Sequence, residues 1–149
     1  LVSIGQGQLL MTPLHVAMLG AAVANNGKMM KPYLVNTITT SSGLTLSTTK
    51  PTVFCQPMSA ECASYMNGLM IDVVKEGTGR SAAISGITVA GKTGTAENEN
   101  EKDHAWFVGY APAEKPTVAV AVLLENDGRS GGASAAPIAK KVMTKYLKK

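Results

Sequence analysis

Hydrophobic positions along the chain predict three helices, at about residues 13–26, 59–76 and 134–148. The first opens on Thr12 and Pro13, a hydroxyl N-cap followed by proline at the first helical position. Ser59 caps the second, and Gly77 ends it. Apolar residues that recur at helical spacing are expected to be buried. They are Leu14, Ala17, Met18, Ala21 and Ala22; Cys62, Tyr65, Met66, Leu69, Met70, Val73 and Val74; and Ile138, Val142 and Tyr146.

Alternating and β-branched stretches predict strands between and after these helices. Tyr33–Thr39 and Leu44–Thr48 are expected to form a hairpin around Ser41-Ser42-Gly43, and Val53-Phe54 a short strand. Three main strands follow at about 88–94, 105–111 and 117–124. Their connections are short or polar, which favours an antiparallel meander. The third strand, TVAVAVLL, is nearly all apolar, as is expected of a strand covered on both faces. The predicted fold class is therefore α+β: an antiparallel sheet packed with helices.

The bulk composition narrows the class of protein. The chain has 149 residues, is 45% hydrophobic and carries a formal net charge of +4, which suits one folded domain. Five lysines between 140 and 149 are interpreted as the solvated face of the last helix, so no nucleic-acid partner is predicted. No apolar run reaches the roughly 20 residues of a membrane span. Cys55 and Cys62 form no metal-ligand set; free thiols are expected, with a disulfide left open.

The stretch GITVAGKTGT, residues 86–95, fits two motifs. Gly86–Thr93 match the phosphate-loop pattern G-x-x-x-x-G-K-[ST], but Ile, Thr, Val and Ala between the glycines favour a strand, and no helical sequence follows. A P-loop NTPase is therefore a remote alternative. Lys92-Thr93-Gly94 is also the K-T-G triad of penicillin-binding proteins and β-lactamases. On an edge strand, such a triad offers a cation, a hydroxyl and close backbone approach to a substrate.

The surroundings of K-T-G resemble the C-terminal half of a penicillin-binding protein transpeptidase domain, of the high-molecular-weight D,D-transpeptidase type. The segments that carry the resemblance are SIGQG at 3–7, TPLHVAMLGAAVANNGKMMKPYLV at 12–35, EGTGRSAAISGITVAGKTGTAE at 76–97, HAWFVGYAP at 104–112 and GGASAAPIAKKVM at 131–143. The resemblance implies a β-lactamase/transpeptidase-like fold, of which residues 1–149 are a single partial domain.

The resemblance also implies a chemistry. In the family, a serine in an S-x-x-K motif attacks the D-Ala-D-Ala end of a peptidoglycan stem peptide, and an S-x-N motif assists proton transfer. β-Lactams acylate the same serine, and no cofactor or metal is used. Here Lys92 and Thr93 would hold the substrate carboxylate, Gly94 would permit close approach, and Thr95 would supply an oxyanion-hole N–H. Trp106 would be structural, and His104 either borders the cleft or is a polar surface residue.

The nucleophile motifs of the family precede the segment at which this chain begins. Ser47-Thr48-Thr49-Lys50 is rejected as S-x-x-K, because Pro51 disfavours a helical Lys50 and the segment reads as hairpin. Tyr65-Met66-Asn67 is rejected as the Y-x-N variant of S-x-N, because Tyr65 and Met66 are expected to be buried. We therefore expect the chain to be inactive alone and not to be acylated by penicillin.

The sequence leaves open whether the protein is an enzyme or a non-catalytic β-lactam sensor of the same fold. It also leaves open which partner the chain binds. The open edge of strand 117–124 is expected to pair with the missing N-terminal half of the domain or to drive self-association. The resemblance implies a membrane-anchored parent that acts at the extracytoplasmic face of the bacterial membrane. The expected partners of the complete domain are the stem peptide and β-lactams.

Overall fold

The structure, a computed structural model, describes residues 9–98 and 101–148 and has the predicted α+β fold. The SIGQG segment at 3–7 lies outside the described residues. The helices are α1 (Pro13–Ala24), α2 (Ala60–Lys75) and α3 (Ala135–Leu147). The strands are β1 (Met29–Met30), β2 (Thr37–Thr39), β3 (Thr45–Thr48), β4 (Val53–Cys55), β5 (Ala90–Ala96), β6 (His104–Ala111) and β7 (Val118–Leu124).

The main sheet confirms the predicted meander: its strands are antiparallel in the order β5-β6-β7. Gly94 lies opposite Trp106, and Trp106 lies opposite Leu123. β5 begins two residues later than predicted, because the chain first turns at Gly86, whose φ is 76°. It also continues through Ala96, which pairs with His104. The K-T-G triad therefore lies in the interior of a strand and not at its end.

Helices cover both faces of this sheet. α3 covers one face, where Phe107, Ala139 and Met143 belong to the same buried cluster. α1 and α2 cover the other face, where Tyr110 packs with Val23 and Met70. Small residues allow this close approach: a Cβ on Gly20 of α1 would come within 2.7 Å of a methyl group of Val108. β7 is covered on both faces as predicted, yet every residue in it is only half-buried, because no described strand pairs with its outer edge.

The predicted helix ends are confirmed to within two residues. The Thr12 Oγ1 accepts from the His15 N–H at 3.2 Å, and the Ser59 Oγ accepts from the Cys62 N–H at 3.1 Å. α1 stops where Gly27, at φ 83°, donates its N–H to the Ala22 carbonyl at 2.8 Å. Gly27 also fits under the Met58 carbonyl, which leaves no room for a Cβ.

The predicted buried faces of the helices are wrong in part. In α2, Cys62, Tyr65, Met66 and Leu69 are exposed, and the helix buries Ala63, Met70 and Val74 against the sheet instead. In α3, Ile138, Val142 and Tyr146 are 38%, 48% and 51% exposed, whereas four other residues, Ala135, Ala136, Ala139 and Met143, are buried. In α1, Leu14 is 59% exposed. Each helix is apolar around more of its surface than the described neighbours can cover.

The segment between α1 and α2 forms two small sheets. β2 and β3 make the predicted hairpin, with Thr37 opposite Thr48. The regular strand begins at Thr37, four residues later than predicted, although Thr49 still donates to the Val35 and Asn36 carbonyls. β4 pairs with β1, a two-residue strand that the sequence did not predict. Val53 and Phe54 are exposed, and so is most of the hairpin. Cys55 and Cys62 are free and exposed. In the described part of the chain, no helix is long and apolar enough to cross a membrane.

Candidate active site

The K-T-G residues lie along the outer edge of β5, where no other described strand pairs with it. A cleft of about 560 Å³ opens along this edge. Its walls are Leu9, Met11, Val16, Thr78, Lys92, Thr93, Gly94, Thr95, Ala96, Trp106, Phe107 and Val108. The four predicted site residues, 92–95, therefore all border one cavity. An unpaired edge also leaves backbone N–H and C=O groups available to an extended ligand.

Strand alternation divides these side chains between the two faces of the sheet. Lys92 and Gly94 lie opposite Val108 and Trp106, on the face that α1 covers. Thr93 and Thr95 lie opposite Phe107 and Ala105, on the face of the α3 cluster. The cation and the hydroxyl groups thus approach a ligand at the edge from opposite sides of the strand.

Lys92 and Gly94 show how the edge is shaped. The exposed Lys92 Nζ donates to the Thr93 carbonyl oxygen at 2.6 Å, which holds the ammonium group close to the strand backbone. A Cβ on Gly94 would come within 3.2 Å of the Trp106 Cβ, closer than side chains normally approach. Trp106 is half-buried and forms part of the cleft wall, so its predicted structural role agrees with its position.

Thr78 is a cleft residue that the sequence analysis did not single out. Its Oγ1 lies 2.6 Å from the Thr93 Oγ1, so the two hydroxyl groups share a hydrogen bond. Thr78 belongs to the turn after α2, and its neighbours fix its position. Gly77 and Gly79 both donate their N–H groups to the Val73 carbonyl, at 3.1 Å and 2.9 Å. The glycines that flank Thr78 in the EGTG run were the available signal of a tightly folded turn.

The loop between β7 and α3 packs against the backbone of the K-T-G strand. Gly131 is buried, and a Cβ there would overlap the carbonyl oxygens of Gly94 and Trp106. Within the loop, Asp127 accepts from the Arg129 guanidinium at 3.0 and 3.1 Å and from the Ser134 hydroxyl. These hydrogen bonds, those from Arg129 first, hold the pKa of the Asp127 carboxyl below its usual value.

His104 lies at the start of β6 and ties this loop to the sheet. Its Nδ1 accepts from the Asn126 N–H at 2.9 Å, and the ring is half-buried. Asn126 adopts a positive φ of 54° and also contacts Asn98 and Glu101 through its side chain. His104 is not among the residues that line the cleft. It connects two loops, a role that the sequence did not reveal.

The rejected motifs are in positions that do not form a catalytic pair. Ser47 and Thr48 belong to β3, so Lys50 is not one helical turn from Ser47. Tyr65 is 70% exposed, so our reason for rejecting Tyr65-Met66-Asn67 was wrong. The geometry gives a better one: the Asn67 Oδ1 accepts from the buried Tyr110 hydroxyl at 2.8 Å, away from the cleft. Lys92 and Thr93 are followed by further residues of β5. The phosphate-loop interpretation would require a helix at that position.

The donor groups of the cleft define the kind of ligand that it can bind. Across residues 9–98 and 101–148, no three His, Cys, Asp or Glu side chains come together as metal ligands. What the cleft offers is one ammonium group, neighbouring hydroxyl groups and an open strand edge. This set matches a ligand with a carboxylate and an extended peptide-like backbone.

Comparisons with known proteins agree with this geometry. The family described as "Penicillin binding protein transpeptidase domain" matches residues 1–144. Peptidoglycan D,D-transpeptidase PbpA of Mycolicibacterium smegmatis is 40% identical over 154 residues, which covers 98% of this chain and 31% of PbpA. MrdA of Acinetobacter baumannii, also a peptidoglycan D,D-transpeptidase, is 38% identical and is covered over 24% of its length. The chain thus spans a third or less of the length of these curated relatives.

Solved structures show the same similarity in three dimensions. The imipenem acyl-enzyme complex of penicillin-binding protein A from M. tuberculosis matches with a TM-score of 0.91 and 39% identity, over 97% of this chain and 33% of that one. The D,D-transpeptidase domain of a peptidoglycan glycosyltransferase from Eggerthella lenta matches with a TM-score of 0.86 and 43% identity, over 92% of this chain and 32% of that one.

Proposed function

Because the chain belongs to the penicillin-binding protein transpeptidase family, we propose that it forms one wall of the active site of a peptidoglycan D,D-transpeptidase. The observation that carries the proposal is the position of Lys92-Thr93-Gly94-Thr95 on the free edge of β5, along the 560 Å³ cleft. Relatives that match nearly the whole chain are peptidoglycan D,D-transpeptidases, and one solved neighbour is a β-lactam acyl-enzyme. The ligands of this wall would be the stem peptide and β-lactams.

Each site residue has a distinct part in this proposal. The Lys92 ammonium and the Thr93 hydroxyl bind the terminal carboxylate of the substrate or drug, because a cation and a donor match an acceptor-only group. Gly94 lets the substrate backbone lie against the strand beside Trp106. The Thr95 N–H donates to the oxygen of the attacked carbonyl as negative charge develops there.

The nucleophilic serine and its lysine would come from the rest of the domain, with residues 1–149 as its C-terminal part. Among the described residues, nothing pairs a serine with a lysine at helical spacing beside the cleft. The 149-residue chain by itself would then bind a carboxylate without being acylated. Since peptidoglycan lies outside the cytoplasmic membrane, the protein would act at the extracytoplasmic face, anchored by a membrane segment elsewhere in its sequence.

The test is covalent labelling by a fluorescent penicillin that survives denaturation. The chain alone should not be labelled, and the chain assembled with the rest of its transpeptidase domain should be. In that assembly Lys92→Ala should slow labelling about ten- to a hundredfold, since it removes a charge-assisted contact. Lys50→Ala is the matched control: this exposed lysine of the rejected motif should not change the rate.

Three results would count against the proposal. Labelling of the chain alone would place a nucleophile in residues 1–149. Loss of labelling in Lys50→Ala would indicate that the rejected pair, Ser47 and Lys50, is the catalytic one. Reversible β-lactam binding without any acylation of the assembled domain would indicate the sensor module instead.

We also propose that the rest of the domain covers two surfaces of this chain. β7 pairs only with β6 among the described strands, which leaves its outer edge open. α3 displays a partly exposed apolar stripe, Ile138, Val142 and Tyr146, at a spacing of four residues. An open apolar edge recruits another strand, and an exposed stripe recruits a helix or a sheet.

Sedimentation of the chain alone and of the mixture with the remaining part of the domain tests this second proposal. The chain alone should self-associate through these surfaces, and the mixture should form a heterodimer. Val142→Lys should weaken the heterodimer, whereas Lys141→Ala, at an exposed position outside the stripe, should leave it intact. A concentration-independent monomer in both samples would refute the assignment of these surfaces.

A further inference from the structure

We propose that Thr78 is a positioning residue for carboxylate recognition, acting through the hydroxyl group of Thr93. The inference rests on the proposed function, because it concerns how that site binds its ligand. Its basis is the 2.6 Å contact between the Thr78 Oγ1 and the Thr93 Oγ1, both at the cleft that contains Lys92. No motif assigned to the site includes Thr78, which lies 15 positions before Thr93.

Counting hydrogens decides the direction of this hydrogen bond when a ligand is bound. A threonine hydroxyl has one donor hydrogen and two acceptor lone pairs, and a carboxylate can only accept. If Thr93 donates to the carboxylate, its single hydrogen is used. The contact with Thr78 then requires that Thr78 donate and Thr93 accept. The pair forms a chain from Thr78 to Thr93 to the ligand, in which each hydrogen bond polarises the next.

The backbone around Thr78 is held firmly enough to maintain this direction. Gly77 and Gly79 are both hydrogen-bonded to the Val73 carbonyl at the end of α2. On the other side, Gly132 lies against the Thr78 carbonyl and has no space for a Cβ. Thr78 is therefore fixed by α2 and by the loop before α3, so its hydroxyl is presented to Thr93 without further ordering.

In the absence of Thr78, the Thr93 hydroxyl would rotate among several partners. The carbonyl oxygens of the edge strand would compete with the ligand for its hydrogen. Thr78 prevents this by occupying a lone pair of Thr93 and leaving its hydrogen directed at the cleft. The expected consequence is selective: recognition of a negatively charged carboxylate depends on Thr78, whereas recognition of the rest of the ligand does not.

The experiment compares a penicillin with its methyl ester, which lacks the carboxylate charge, on the assembled domain used above. The measured quantity is the second-order acylation rate constant for each compound. Thr78→Val keeps the shape of the side chain and removes the hydroxyl. It should lower the rate for the free acid about fivefold, a neutral hydrogen bond's worth, and lower the rate for the ester by less, because the uncharged ester carbonyl accepts a weaker hydrogen bond from Thr93. The ratio of acid to ester rates should therefore fall.

Two further variants make the result decisive. Thr78→Ser restores the hydroxyl and should recover the acid-to-ester ratio to within about twofold. Thr45→Val, the same substitution at an exposed position of the hairpin, should leave both rates unchanged. If Thr78→Val slows the acid and the ester equally, or slows neither, Thr78 does not position Thr93. If the wild-type domain is acylated by neither compound, the proposed function itself fails.

Discussion

Tyr110 provides a test in which the stability difference between the wild type and a variant should change sign with pH. Its ring is fully buried in the cluster that joins α1 and α2 to the sheet, and its hydroxyl donates to the Asn67 Oδ1 at 2.8 Å. Burial raises the pKa of Tyr110 to about 12. Tyr110→Phe keeps the ring, removes the hydrogen bond and removes the ionisable group.

The magnitudes follow from these two losses. Near pH 7, Tyr110→Phe removes a hydrogen bond and leaves the half-buried Asn67 short of a partner, so the variant should be about 1 kcal/mol less stable. The folded pKa of Tyr110 lies about 2 units above that of an exposed tyrosine. This contribution is fully present below about pH 10 and is lost as the pH rises toward 12, at about 1.4 kcal/mol per unit. The wild type should thus lose about 2.7 kcal/mol that the variant keeps.

Wild type and variant should therefore exchange order at about pH 11. The assay is guanidinium denaturation followed by far-UV circular dichroism at pH 7, 10, 11 and 12. Lysine and cysteine ionisation affects both proteins equally, so the difference between them isolates Tyr110. Asn67→Ala should cost a similar amount at pH 7, and the double variant should cost less than the sum. A difference that keeps its sign and size from pH 7 to 12 would refute the assigned burial.

Three further predictions concern stability, each checked by denaturation midpoints. Asp127→Asn should destabilise the protein at pH 7, because the wild-type pKa is held low by Arg129 and Ser134. This contribution is present above the pKa of an unfolded aspartate, about 3.9, and is lost as the pH falls through the lower folded pKa, where the gap should close. Met143→Ala should lower the free energy of unfolding by about 2 to 5 kcal/mol, because Met143 is fully buried. Met66→Ala, at an exposed position of α2, should lower it by less than about 1 kcal/mol. Equal losses in the two variants would contradict the described core. Gly131→Ala should lower the free energy of unfolding by more than about 1 kcal/mol, because its Cβ would overlap two carbonyl oxygens. Gly68→Ala, which has open space in α2, should raise it by about 0.5 to 1 kcal/mol. A tolerated Gly131→Ala would place the loop away from the K-T-G strand.

Local sequence features predicted most of the fold, because they act between residues that are close together along the chain. Thr12 and Ser59 cap helices with hydroxyl groups that reach only three residues onward. The short connections between the three main strands allow little except an antiparallel meander. The neighbours of the K-T-G triad predicted that it lies on a strand, since Ile, Thr, Val and Ala favour extended backbone. Its position on an edge strand was predicted from the motif.

The buried faces of the helices were predicted less well, because helical spacing shows which residues can share a face but not which neighbour arrives to cover it. Ile138, Val142 and Tyr146 satisfy the periodicity of a buried stripe, yet the small residues Ala135 and Ala139 contact the sheet. Because α3 lies close to β6 and β7, its face of small side chains packs against the sheet and its face of large side chains does not. The same holds for Tyr65 and Met66 in α2.

By itself, then, the sequence determined where helices and strands begin, that the main sheet is antiparallel, and that Lys92–Thr95 lie on a strand. Those properties depend on backbone preferences and on side chains a few residues apart. Tertiary structure alone brought Thr78 to Thr93, Tyr110 to Asn67, and Gly131 beneath Gly94. Each of these contacts joins residues at least 15 positions apart, where no local periodicity operates and only the packing of α2, the sheet and the last loop fixes the distance.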